Sequence, residues 1–467
     1  MAAQGSIRHG DTSPPGPLSD FGEGEQTGRQ KRAPQLLWFA VLLTAGLSLA
    51  AALSGLGLGD TGATSVPSAA DQAAAREARI AFFEARAAAD RLDFLSLNVL
   101  AGEYLQRARE TGDVADYQRA EAAAERSLEI VPVDNYAGLV LLGSVRLVQH
   151  DYASVVDLAR RALPLKPAGP AAHGLLADAQ VGIGDYETAA ETLVTMRELD
   201  AGLPTLSRLA NLAFLTGDRI NTVAYWQQAI GISEGLPLEN QAWAHVQLGV
   251  TYFALGDYGA AIEEHEAALG LFPGYVHALA GLGQARAASK DWDQAIDAYE
   301  HAVALQPLPQ YVTALGDVYA AAGQPARAEE QYALVEAIAA LYQDAGVNTD
   351  LQIAMFYADH DRELPRALDM ARASYADAPN AYAADALAWA LYKSGRFEEA
   401  DPYAKQAVST GALEASFGYH AALIRLALDD ESGGRELLAQ ALALNPRFSP
   451  LHADEASKLL ATLEDGR

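Results

Sequence analysis

The chain has 467 residues, 33 Lys and Arg against 61 Asp and Glu, 10 His and no Cys, and half of its residues are apolar. The lack of cysteine excludes disulfides, thiolate metal sites and thiol nucleophiles. A net charge of −28 argues against a nucleic-acid backbone as partner, because a polyanion repels a polyanion.

Residues 1–34 hold Gly, Pro, Ser and Thr with almost no core-forming side chain, and read as a disordered cytoplasmic tail. Ala33 to Gly59 then runs for 27 residues without a charge. About 20 such residues suffice to cross hydrocarbon, so 35–58 is expected to be a transmembrane helix. Arg29, Lys31 and Arg32 precede the run and Asp60 follows it. The excess of positive charge on the N-terminal side predicts a single-pass protein of the cell (inner) membrane, with a cytoplasmic N-terminus and everything after Asp60 extracytoplasmic. A cleaved secretory signal is the alternative, with Ser68-Ala69-Ala70 as the small-residue site. Residues 59–70 read as a tether, 71–91 as an N-terminal capping helix, 92–446 as a repeat array and 447–467 as a C-terminal capping helix.

The array declares itself through a ladder of small residues: Ala120, Val155, Ala189, Thr222, Ala261, Ala295, Ala328, Ala367, Ala400 and Gly434. The intervals are 35, 34, 33, 39, 34, 33, 39, 33 and 34 residues. Each unit reads as two helices. The first carries a Leu-Gly or Leu-Ala step, as at Leu248-Gly249, Leu315-Gly316 and Leu387-Ala388, and the second opens after a turn such as Gly184-Asp185 or Gly256-Asp257. Prolines 132, 167, 273, 307, 379 and 446 mark where second helices end. The longer intervals predict an extended loop over 231–240 and a lengthened second helix over 329–344.

With this period and pattern the sequence resembles the tetratricopeptide repeat (TPR) superfamily, of a bacterial membrane-anchored type. The resemblance implies an all-α, right-handed solenoid of about ten helix pairs with helical caps, preceded here by the one transmembrane helix, and a long groove walled by the first helix of each pair. Carried onto this sequence, that wall comprises Asn211, Phe214, Trp243, Val250, Phe253, Gln284, Phe356, Tyr382, Trp389 and Tyr392. Val246, Val250, Ala280 and Gln284 stand where modules that clamp acidic chaperone tails place Lys, Arg and Asn, so that activity is not expected.

No catalytic motif survives its context. Gly231-Ile232-Ser233-Glu234-Gly235 fits G-x-S-x-G, but a nucleophile elbow lies between strand and helix, and this one follows a helix. His245, His265, His277 and His301 read as scattered surface histidines rather than metal ligands. The expectation is a non-enzymatic, cofactor-free and metal-free scaffold that binds a protein or peptide in envelope assembly, with a basic partner favoured by the acidic surface. A structural spacer without a specific ligand and a substrate-binding arm of an envelope enzyme complex are the alternatives.

Overall fold

The computed structural model describes residues 67–344 and 350–465, and every regular element in them is helical. Helix α1 (Ala69–Ala89) precedes ten helix pairs. These are α2 (Phe94–Thr111) with α3 (Val114–Ile130), α4 (Tyr136–Val148) with α5 (Tyr152–Ala162), and α6 (Pro170–Gly182) with α7 (Tyr186–Leu199). Next come α8 (Leu203–Leu215) with α9 (Arg219–Gly231), α10 (Leu238–Ala254) with α11 (Tyr258–Leu271), and α12 (Val276–Ala288) with α13 (Trp292–Leu305). The last four pairs are α14 (Pro309–Ala321) with α15 (Pro325–Asp344), α16 (Asp350–Asp359) with α17 (Leu364–Asp377), α18 (Ala381–Lys393) with α19 (Phe397–Ser409), and α20 (Ala415–Ala427) with α21 (Glu431–Leu444). Helix α22 (Ala453–Asp465) follows them. The 39-residue intervals resolve into a longer first helix, α10 from Leu238, and a longer second helix, α15 over 20 residues.

The turn inside several units has a chemical cause. A residue in the left-handed region, Gly112, Gly184, Gly217 or Gly256, is followed by Asp113, Asp185, Asp218 or Asp257, whose carboxylate accepts a hydrogen bond from a backbone N–H of the second helix. Such caps contribute about 1 kcal/mol each. All ten ladder residues are buried, Thr222 included, where the hydroxyl donates to the Asp218 carbonyl at 2.7 Å.

Four residues later on the second helix a larger side chain presses into the first helix of its unit. Tyr299 meets Gly283, Tyr332 meets Gly316, and His265 lies against both Gly249 and Gly281. His265 is fully buried and His277 nearly so, which corrects their reading as surface histidines. His265 takes the place that Tyr299 and Tyr332 fill in the next two units, and His277 sits against the Tyr311 hydroxyl with Nδ1 at 2.5 Å.

The expected membrane span at 35–58 lies outside the described residues. Among the described residues no helix is both long and apolar enough to cross a membrane. The apolar helices are short: α4 has 13 residues, roughly 20 Å of rise against a hydrocarbon core of about 30 Å. The 21-residue α1 carries Asp71, Arg76, Glu77, Arg79, Glu84 and Arg86. These findings overturn the assignment to a single-pass membrane protein with an extracytoplasmic array, and nothing among the described residues bears on a role in envelope assembly.

Candidate partner-binding inner wall

Neighbouring first helices touch one another directly, as α10 does α12 and α16 does α18, whereas neighbouring second helices stay apart. The array therefore curves with its first helices inside. Their polar side chains pair across units. Arg208 on α8 grips Asp178 on α6, with Nη2 to Oδ2 at 2.7 Å and both groups buried. Arg109 on α2 reaches Glu239 and Asn240 on α10 at 3.1 and 3.0 Å, four units along the chain.

The coil is wound tightly enough for successive turns to meet. The Asn380 amide donates to the Gly182 carbonyl at 2.9 Å across 198 residues, and the Leu413 N–H donates to the Phe214 carbonyl at 3.0 Å. Asn445 donates to the Phe253 carbonyl at 2.9 Å and accepts from the Tyr258 hydroxyl at 2.7 Å, across 192 and 187 residues. Lys290 pairs with Asp454 at 2.8 Å. Gly182, Phe214 and Phe253 lie in the last turns of first helices, whose carbonyls lack full intrahelical pairing. A loop five to six units further on supplies the donors. Successive turns of the coil are thus joined along this seam.

The ten wall residues consequently divide. Asn211, Phe214, Trp243, Phe253, Phe356 and Trp389 are buried. Trp243 meets Trp226 edge-on at 5.2 Å, Phe253 tilts against Tyr258, and Phe356 packs among Tyr332, Tyr357 and His360. Val250, Gln284, Tyr382 and Tyr392 remain half-exposed. Tyr382 packs edge-on against Phe417, and Tyr392 stacks on Trp389 with ring centroids 5.0 Å apart.

Around Trp389 the structure gathers titratable groups that sequence reasoning missed. Asp317 on α14 meets His360 Nε2 at 2.8 Å, and both Asp385 oxygens lie 3.0 Å from His420 Nδ1. Trp389 Nε1 donates to Asp359 at 2.8 Å while its ring stacks on His420 at 4.1 Å. Burial opposes a charge on His360 and His420, but the bonded carboxylates outweigh it and raise both pKa values. Burial lowers His452 in spite of Asp359 nearby, and burial raises Asp359 against the pull of His420, His452 and His360. A signal for part of this set was available. The residue directly after the Leu-Gly or Leu-Ala step gave Asn211, Val250, Gln284 and Trp389, and the same register gives Asp178 and Asp317. Among the described residues no three His, Asp or Glu side chains are arranged to hold a metal ion.

Two family models, each described as tetratricopeptide repeat, match residues 252–316 and 380–411. Among curated proteins no sequence match is found. Solved structures similar to this chain include the human IFIT1 dimer with PPP-AAAA, at 14% identity, TM-score 0.41, covering 75% of this chain and 82% of that one. The APC/C hetero-tetramer Cut9-Hcn1 is similar at 15% identity, TM-score 0.39, with 78% and 76% covered. Yeast Tom70 is similar at 13% identity, TM-score 0.31, with 80% and 96% covered. With the matches falling on regular units described above, the chain carries tetratricopeptide repeats. It is built as a protein-interaction scaffold, a fold that typically serves without enzymatic activity.

Proposed function

We propose that the array binds a protein or peptide partner on the inner wall of its later units, and that the partner presents basic groups there. The observation that carries this reading is the solvent-reachable surface left on Asp317, Asp359 and Tyr392, side by side on first helices of a chain with net charge −28. Val250, Gln284, Tyr382 and Tyr392 are the wall residues with surface to offer. The six buried ones hold the wall in place. Rings supply apolar area and carboxylates supply charge complementarity, which salt screens.

The test is capture of partners by the tagged full chain at two salt concentrations, with Tyr392→Ala in parallel. A partner released by salt and lost in Tyr392→Ala supports the reading; a partner retained equally by both chains contradicts it. The seam favours one rival, a spacer without a specific ligand, because a coil whose turns are bonded to each other resists extension. No salt-sensitive capture by either chain would favour the spacer.

A further inference from the structure

Helix α1 packs on α2 through Arg76 and Ile80, which are buried, with Gln72, Phe83 and Ala87 half-buried beside them. Its opposite face is apolar and open to solvent. Ala74, Ala78, Ala81, Ala85 and Ala88 follow one another at steps of four, three, four and three residues, with Ala75, Phe82 and Ala89 alongside at steps of seven. All eight are exposed, Phe82 by 57%. A terminal element of a solenoid needs a polar outer surface. Helix α22 meets that requirement, exposing Asp454, Glu455, Lys458 and Glu464. Helix α1 does not, and an exposed apolar face of this kind marks a contact surface.

Charge of opposite sign flanks the apolar stripe. Glu77 and Glu84, one heptad apart, line the edge beside Ala81 and Ala88. Arg79 and Arg86 line the other edge, where Arg86 lies over the Phe82 ring at 5.9 Å. Each holds a group of its own chain: Glu77 with Arg107 at 2.8 Å, Arg79 with Glu103 at 2.8 Å, Arg86 with Asp93 at 2.9 Å, and Glu84 with the Tyr104 hydroxyl at 2.6 Å. All four nevertheless remain exposed. Two such helices running in the same direction about a twofold axis bring opposite edges together, Glu against Arg. Running in opposite directions, they bring like edges together, Glu on Glu and Arg on Arg. Flanking charges of this kind set partner choice and orientation in helix pairs. Exposed ion pairs add little stability, so the charges select the direction while the stripe supplies the contact. Its alanines let the two axes approach to about 8 Å.

We propose that α1 is a self-association surface through which two copies of this chain pair, parallel and in register, about a twofold axis along the helices. The contact lies outside the inner wall and does not depend on the partner proposed for that wall.

The absence of native cysteine makes the test direct. Ala78→Cys and Ala85→Cys are introduced singly into the full chain and oxidised. In register each position faces its own counterpart at a separation that a disulfide spans, about 6 Å between Cα atoms, so each variant is expected to give a covalent dimer by itself. Glu263→Cys, exposed on α11, is expected to stay uncross-linked under the same conditions. Antiparallel pairing would bring position 78 against position 85, and would cross-link only when the two variants are mixed. That result, no cross-link at all, or equal cross-linking of Glu263→Cys overturns the proposal. Sedimentation gives a second measurement without cysteine. The unsubstituted chain is expected to associate to a dimer as its concentration rises, and Ala78→Glu combined with Ala85→Glu to weaken that association at least tenfold. Both positions are exposed in the single chain, so the melting temperature should stay the same. Association that survives the double substitution contradicts the proposal.

Discussion

The amide of Leu413 donates a hydrogen bond to the carbonyl of Phe214 at 3.0 Å, although 199 positions separate them in the chain. Phe214 closes a first helix of the fourth unit, and Leu413 lies in the loop between the ninth and tenth. Beside this bond the backbones of Gly217 and Gly411 approach so closely that a Cβ on Gly217 would stand 2.3 Å from the Gly411 carbonyl oxygen. A solenoid held together only by neighbours would have stability close to a nearest-neighbour sum. The seam adds a term that couples units far apart.

Gly217→Ala should therefore cost more than its backbone conformation alone explains. Gly217 and Gly323 have nearly the same φ, +77° and +76°, but a Cβ on Gly323 meets nothing within 4 Å. Gly323→Ala is expected to destabilise by about 1 kcal/mol, the left-handed penalty, and Gly217→Ala by roughly twice that or more. Urea unfolding of both variants checks the difference; equal losses would mean that the seam contributes nothing.

The fifth unit carries the second prediction. His265 is buried with neither ring nitrogen hydrogen-bonded, and burial pushes its pKa from 6.5 down to about 3. The unfolded chain takes up this proton near pH 6.5 and the folded chain only near 3, so stability falls as pH drops through that window. At pH 5 the loss is on the order of 1–2 kcal/mol. His265→Phe, which restores the kind of ring seen at Tyr299 and Tyr332, should flatten this dependence whatever it does to stability at pH 7. Denaturant melts at pH 5 and pH 7 decide it, and an unchanged pH dependence would contradict the assignment.

His420 behaves with the opposite sign. Asp385 holds its pKa above the ordinary 6.5 despite burial, so the pair's contribution is complete below about 6.5 and is lost as pH rises through the raised folded value. Asp385→Asn should abolish that alkaline loss and destabilise the chain at pH 6. Melts between pH 6 and 9, compared with the unsubstituted chain, read both effects.

Asp429 offers a gain. It stands at φ 61° in the turn of the tenth unit, where other units place Gly184, Gly217 or Gly256. Asp429→Gly should raise stability by about 1 kcal/mol by removing the left-handed strain, with a higher melting temperature as the readout. No gain would show that the side chain compensates its own backbone.

The periodic features were legible because their causes are local. The small-residue ladder from Ala120 to Gly434 and the Gly-Asp turns reflect packing and capping within one unit, and the helix pairs fall where they place them. The seam left no such mark. Asn380 and Asn445 carry no local sign of it, because their partners, the Gly182 and Phe253 carbonyls, lie nearly 200 positions away. The same closure helps bury Phe214 against Leu413 and Ala415, while Phe253 is buried among residues of its own and the next unit. His265 was misread because its polarity says surface, while its place four residues after Ala261 says core. The uncharged run at 35–58 suggested an address that the described helices do not support.

The most direct test of the bonded turns is native-state hydrogen exchange at the Leu413 amide. Leu413 belongs to no helix, so apart from the seam its N–H would have no backbone partner. The account predicts that it exchanges as slowly as helical amides of α8, and that Gly217→Ala accelerates it while the Leu387 amide inside α18 is unaffected. A Leu413 amide that exchanges at the rate of an open loop, with or without the substitution, would contradict the claim that successive turns of this array are joined.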